Sequence, residues 1–146
     1  MLGIKRITGA ADLAPEGELG SWVSGAAREK FMVAYERAFA LWPQPVEEFD
    51  IETATTTTRV HAYRRHPGGD PVVLLSMFSA AGLYPYVAAL AGDGPVYGID
   101  LPGDPNPSVA RAPMTPPASC AAWLDELLGK LSDRPAHLVG DRKSVV

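Results

Sequence analysis

The spacing of apolar positions along the chain switches repeatedly between a helical and a strand period. Residues 1–23 show neither period and read as an irregular, Gly/Ala-rich lead-in. From Ser24 to Trp42, Ala27, Phe31, Ala34, Tyr35, Ala38 and Trp42 share one helical stripe, with Arg28, Glu29, Glu36 and Arg37 off it. Ser24 can accept a backbone N–H as N-cap, and Pro43 cannot continue the helix. Val46–Glu52 alternates as a half-exposed strand, with Phe49 and Ile51 on one face and Glu48, Asp50 and Glu52 on the other. Thr56–Arg65 is a second β-prone run in which Val60 and Ala62 oppose His61 and Tyr63. Pro67-Gly68-Gly69-Asp70 supplies a turn.

Beyond that turn the strands change character. Pro71–Leu75, Val96–Asp100 and Pro135–Gly140 are short, continuously apolar runs, the pattern of strands buried on both faces. Between the first two lie a small-residue loop and a short helical pattern through Val87 and Leu90. A proline-rich loop, Leu101–Pro117, then leads to a helix opened by Thr115 as N-cap and Pro116 at its first position. Its stripe is Cys120, Trp123, Leu124, Leu127, Leu128 and Leu131. The order helix, two strands, then strand–helix–strand–helix–strand defines an α/β class: a mostly parallel sheet, flanked by helices, with an antiparallel pair at its start.

Composition narrows this picture. At 146 residues the chain suffices for one domain with a real core. Its 47% hydrophobic and 21% charged content is that of a soluble globular protein, and the net charge of -4 argues against nucleic acid as partner. No apolar stretch approaches the roughly 20 residues of a membrane span, and no apolar segment follows Lys5 and Arg6 as in a signal peptide. The single cysteine, Cys120, has no internal disulfide partner and falls on an apolar stripe, as a structural thiol does. A cytoplasmic location is the expectation.

Most chemistry-bearing patterns are outweighed by plainer readings. Glu48, Asp50 and Glu52 could hold a metal, but no histidine or second acidic cluster lies near them in sequence, so a solvated strand face is expected. His61 and His66 flank a strand end and His137 lies in the last strand, without metal-ligand spacing. Gly92-Asp93-Gly94 begins a dinucleotide fingerprint, but Tyr97 takes the third glycine's place and the segment precedes a strand. No phosphate-binding P-loop motif occurs. The loop Ser76-Met77-Phe78-Ser79-Ala80-Ala81-Gly82 has the small residues that let backbone approach a substrate carbonyl.

Taken together, four segments resemble the N-terminal half of an α/β-hydrolase, and more narrowly its bacterial carboxylesterase-like members. These are Tyr35–Pro43 with the strand around Glu47-Glu48; Pro71–Leu75 with its loop; Val96–Ser108, a strand followed by Leu-Pro-Gly-Asp; and Trp123–Glu126 through His137–Gly140. The likeness spans about residues 25–140. It implies a partial α/β-hydrolase fold over 24–140, no metal or organic cofactor, and a small-molecule ester or acyl substrate for the full-length parent. The family's loop after the third strand supplies an oxyanion N–H, which by position is that of Phe78. Two departures stand out. The family's His-Gly pair is replaced by Ser76-Met77, and the strand ending at Gly140 is followed by Asp141-Arg142-Lys143-Ser144 in place of the elbow G-x-S-x-G. Arg142 stands where the nucleophilic serine would be.

The triad runs Ser, Asp/Glu, His in chain order, so none of it is expected within these residues, and the chain as given is expected to be inactive. Residues 141–146 read as non-native, since a common sequencing-library adapter translates to the same six residues; a natural truncation or divergent C-terminus is the alternative. A strand left at the sheet edge after Gly140 predicts poor solubility or a molten state. Two other functions stay open: a non-catalytic binding or interaction module on the same scaffold, suggested by Ser76-Met77, and, more weakly, a dinucleotide-binding enzyme.

Overall fold

The computed structural model describes residues 22–66, 68–76, 79–114 and 117–140. Helix α1 spans Gly25–Phe39, with the Ser24 side chain accepting the Ala27 N–H at 3.1 Å. The helix ends three residues before Trp42. Leu41 and Trp42 donate to the carbonyls of Ala38 and Phe39, closing tighter turns before Pro43. The expected stripe is also rotated. Ala27 and Ala34 are exposed, and the face that packs is Phe31, Met32, Tyr35, Ala38, Phe39 and Trp42. Large aromatic side chains, not the alanines, define the buried direction.

Strands β1 (Val46–Glu52) and β2 (Thr56–Tyr63) pair antiparallel, and β2 pairs antiparallel with β4 (Val96–Asp100). Strand β3 (Val72–Ser76) lies parallel to β4 on one side and to β6 (His137–Gly140) on the other. The order is β1-β2-β4-β3-β6, and a two-residue strand, β5 (Val109–Ala110), pairs with the start of β2 inside the proline-rich loop. The sheet is therefore mixed, with the antiparallel flank that the alternating first strands predict.

Two clusters cover the two faces. On one, α1 and α2 (Tyr84–Leu90) pack Tyr35, Phe39, Trp42 and Val87 against Tyr63, Leu74 and Val96. On the other, α3 (Pro117–Leu131) packs Trp123 and Leu127 against Phe49, Ile51, Val60, Ala62, Val73, Leu75, Tyr97 and Ile99. The partition follows from strand alternation: neighbours in β2, β3 and β4 point to opposite faces, so both faces must be covered. The expected stripe of α3 holds at Trp123, Leu124, Leu127, Leu128 and Leu131. Cys120 is partly buried and its thiol donates to the Met114 carbonyl at 2.9 Å. Thr115 and Pro116, the expected cap, lie outside the described residues.

Glycine matters at two places. A Cβ on Gly98, in the middle of β4, would lie 2.5 Å from the Trp42 ring, so only glycine admits that indole against the sheet. Gly103 has φ of 95° in the turn Leu101–Asp104, closed by the Asp104 N–H on the Leu101 carbonyl; proline then left-handed glycine is the type II arrangement.

Strand β6 corrects one expectation. Its apolar run predicts burial on both faces, yet all four of its residues are exposed, with Leu138 and Val139 at 49% and 38%. It sits at the sheet edge beside β3, and no strand among the described residues pairs with its other side.

Candidate functional site

Strands β3 and β4 run in parallel and end side by side, with Ser76 opposite Asp100. The chain leaves β3 toward α2 on one face and leaves β4 toward α3 on the other. A crevice at the carboxyl ends of such a strand pair is where open α/β sheets place ligands. Two segments leave these strand ends: the one after β3, described from Ser79 onward, and Leu101–Ser108 after β4.

Asp100 sits at the centre of this junction and is wholly buried. Its Oδ1 accepts the Ala80 N–H at 2.7 Å, where the chain re-enters helical geometry after the β3 loop. Its Oδ2 accepts from the Tyr35 hydroxyl at 2.5 Å and lies 3.2 Å from His61 Nε2. The Tyr35 oxygen is also 2.6 Å from His61 Nε2. Tyr35 has one hydroxyl proton and gives it to Asp100, so the proton between Tyr35 and His61 resides on Nε2. Phe39 stacks on the imidazole with centroids 3.7 Å apart.

The other imidazole nitrogen, Nδ1, faces Glu48 Oε1 at 3.4 Å, an electrostatic contact without hydrogen-bond alignment. Glu48 stands directly across from His61 in the β1–β2 ladder, and Asp50 directly across from Arg59. Arg59 Nε donates to Asp50 Oδ1 at 2.6 Å, both side chains being buried, and Arg59 lies 3.5 Å from Glu48. Opposite charges at facing positions on one sheet face are attractive pairs. Thus the acidic face of β1 is not simply solvated. Asp50 is buried, whereas Glu48 and Glu52 are exposed, Glu48 leaning toward His61 and Glu52 reached by Arg111 at 2.6 Å.

These contacts set the protonation of the cluster. Burial works against the His61 imidazolium, but hydrogen bonding to Asp100 and the attraction of the Asp100 and Glu48 carboxylates outweigh it, so His61 titrates above an ordinary histidine. The contact from His61, seconded by Arg59, holds the Glu48 carboxyl below its usual range despite partial burial. Burial, reinforced by the Asp100 carboxylate, drives the Tyr35 phenol far upward, so it stays a proton donor.

The β4 loop is tied to the same point. Ser108 Oγ donates to the Asp100 carbonyl at 2.7 Å and accepts the Arg59 N–H at 2.8 Å, replacing a direct bond between β2 and β4 with a hydroxyl bridge. Asn106 supports it, its amide N–H donating to the Leu101 carbonyl and its side-chain oxygen accepting the Ser108 N–H, both at 2.8 Å.

Of the residues singled out by sequence, Phe78 and Arg142 both lie outside the described residues. His61 is not at a strand end but inside β2, fully buried. His66 and His137 are exposed and do not join it. Among the described residues no group of three His, Cys, Asp or Glu side chains could hold a metal ion. The Tyr35–His61–Asp100 cluster escaped sequence reasoning because its members lie 26 and 39 residues apart. The available signal was a histidine alternating with Val60 and Ala62 in a strand now covered on both faces.

The strand order and the loop geometry define the first part of an α/β-hydrolase fold, and comparison with known proteins agrees. No protein-family model matches the chain. Its homologues are Bacillus carboxylesterases: it is 32% identical over 114 residues to carboxylesterase YbfK of Bacillus subtilis, covering 76% of this chain and 38% of that protein. The crystal structure of that enzyme, CesB (YbfK), superposes with a TM-score of 0.69 over 77% of this chain and 40% of the other. The naproxen esterase of B. subtilis, 27% identical, superposes with a TM-score of 0.70 over 82% and 42% of the two chains. The chain thus spans less than half the length of the carboxylesterases it matches. No helix among the described residues is long and apolar enough to cross a membrane.

Proposed function

We propose that this chain is the N-terminal portion of a cytoplasmic serine hydrolase that cleaves carboxylic esters or related small acyl substrates. One observation carries the reading: 32% identity to a carboxylesterase over 114 residues that fold into the same sheet. The crevice beside β3 and β4 would receive the acyl group, and the loop after β3 would donate a backbone N–H, that of Phe78, to the oxyanion. Serine, acid and histidine would come from sequence beyond Gly140, with the serine attacking the carbonyl and the histidine moving its proton. No cofactor is needed for this chemistry.

The experiment is hydrolysis of a short-chain nitrophenyl ester by the intact protein and by residues 1–146. The intact protein is expected to turn over far above a heat-killed control, and residues 1–146, which contain no G-x-S-x-G, are expected to match that control. An inactive intact protein would reject the esterase reading. Ser76-Met77 in place of His-Gly favours one second reading, a non-catalytic binding module on the same scaffold. A residue other than serine, aspartate or cysteine at the elbow of the intact protein would support it.

A further inference from the structure

We propose that the buried Tyr35–His61–Asp100 cluster is a positioning device that braces the chain leaving β3, with Asp100 as the positioning residue and α1 as its anchor. Its role in catalysis rests on the esterase reading above; the bracing itself does not.

Asp100 spends its two oxygens on different tasks. Oδ1 takes the Ala80 N–H at 2.7 Å and so fixes where the loop after β3 rejoins regular structure. Oδ2 is held from the opposite side by the Tyr35 hydroxyl and His61 Nε2. A carboxylate gripped at one oxygen cannot swing, so the other oxygen becomes a fixed point for the backbone. The grip is itself constrained. Tyr35 belongs to α1, the imidazole is stacked on Phe39 of the same helix, and Trp42 just beyond that helix packs on Gly98 in β4. Ser79 adds a local tie, its hydroxyl accepting the Ala81 N–H at 3.0 Å.

A simple core role does not require this arrangement. An apolar trio would fill the same volume without desolvating a carboxylate, an imidazole and a phenol. What the polar trio adds is direction: it converts the location of α1 into the location of the Ala80 N–H, where the chain from β3 rejoins regular structure. Small errors of placement in a site cost far more rate than stability.

The test is Tyr35→Phe in the intact protein, which keeps the ring packed on Phe39 and removes only the hydroxyl. Two readouts are compared. The first is the amide proton resonance of Ala80 in a 15N-labelled sample; a hydrogen bond to a fixed carboxylate shifts it downfield, and the variant is expected to move it back. The second is ester hydrolysis, with kcat expected to fall about tenfold or more and KM to stay within about twofold. His61→Gln is the second variant, used if Tyr35→Phe fails to fold, with the same expectations.

An unmoved Ala80 resonance overturns the proposal, as does a moved resonance with kcat within twofold of wild type. If the wild-type protein hydrolyses no ester, the esterase reading has failed and the Ala80 resonance alone decides the bracing.

Discussion

The two faces of the sheet are built by different means. Under α3, Leu127, Val60, Val73 and Ile99 are fully buried, and the polar members are a ladder of hydroxyls, Thr53, Thr56 and Thr58, at 2.8 Å spacings, that ends on the Trp123 indole N–H at 3.0 Å. The α1 face holds buried ionisable groups: Asp50 with Arg59, and His61, ringed by Tyr35, Phe39 and Trp42, with Asp100. One face is held by apolar burial with neutral hydrogen bonds. The other depends on a set of charges, each needing its partner. Buried charges are costly and add little net stability over apolar replacements, so their presence on one face only, converging on Asp100 at the end of β4, points to placement as their use.

Substitutions can break this contrast. The largest effect is expected from Asp100→Ala, which leaves Tyr35, His61 and the Ala80 N–H buried without their shared acceptor; about 3–5 kcal/mol of stability should be lost, read by urea unfolding. Leu127→Ala on the other face should cost about 3 kcal/mol through transfer and cavity terms alone. A double-mutant comparison should find the two losses additive, because the residues lie on opposite sides of the sheet. Coupling between them beyond about 0.5 kcal/mol would contradict the separation of the faces. Gly98→Ala follows at about 2 kcal/mol, since the added methyl must displace the Trp42 ring from β4.

The smallest effect is a pH dependence carried by the α1 face. His61 has a raised value when folded, so its contribution is full below its ordinary value of 6.5 and is lost as pH rises through the folded value. Glu48 has a lowered value, so its contribution is present above 4.5 and is lost as pH falls through the folded value. Thermal melting should therefore peak between these limits. His61→Gln should flatten the alkaline limb, whereas Leu127→Ala should lower the whole profile without changing its shape. An unchanged alkaline limb in His61→Gln would remove His61 as its source.

The same contrast explains what could be read from the chain alone. The α3 face was legible because apolar periodicity records burial directly: the spacing of Trp123, Leu124, Leu127, Leu128 and Leu131 and the runs Val72–Leu75 and Val96–Ile99 found their places. The α1 face was less so. Apolar spacing puts Tyr35 on a buried stripe only as a hydrophobe, and alternation puts Asp50 toward solvent, because a carboxylate's partner across a strand pair does not show in its own neighbourhood. Arg59 lies nine residues from Asp50 in sequence and directly opposite it in the ladder. Burial of β6 was overestimated, because apolar content reports a strand's preference and not what covers it. The α/β architecture and its antiparallel flank were legible; the polar junction at Asp100 was not, since it exists only once four elements meet.

The central proposal is that these residues carry the N-terminal part of a serine hydrolase. It is tested most directly by titrating the intact protein with a serine-directed fluorophosphonate while following nitrophenyl ester hydrolysis. Loss of activity in proportion to one phosphonate bound per chain is the predicted result. Ester hydrolysis untouched by the phosphonate, or no hydrolysis above a heat-killed control, would contradict it.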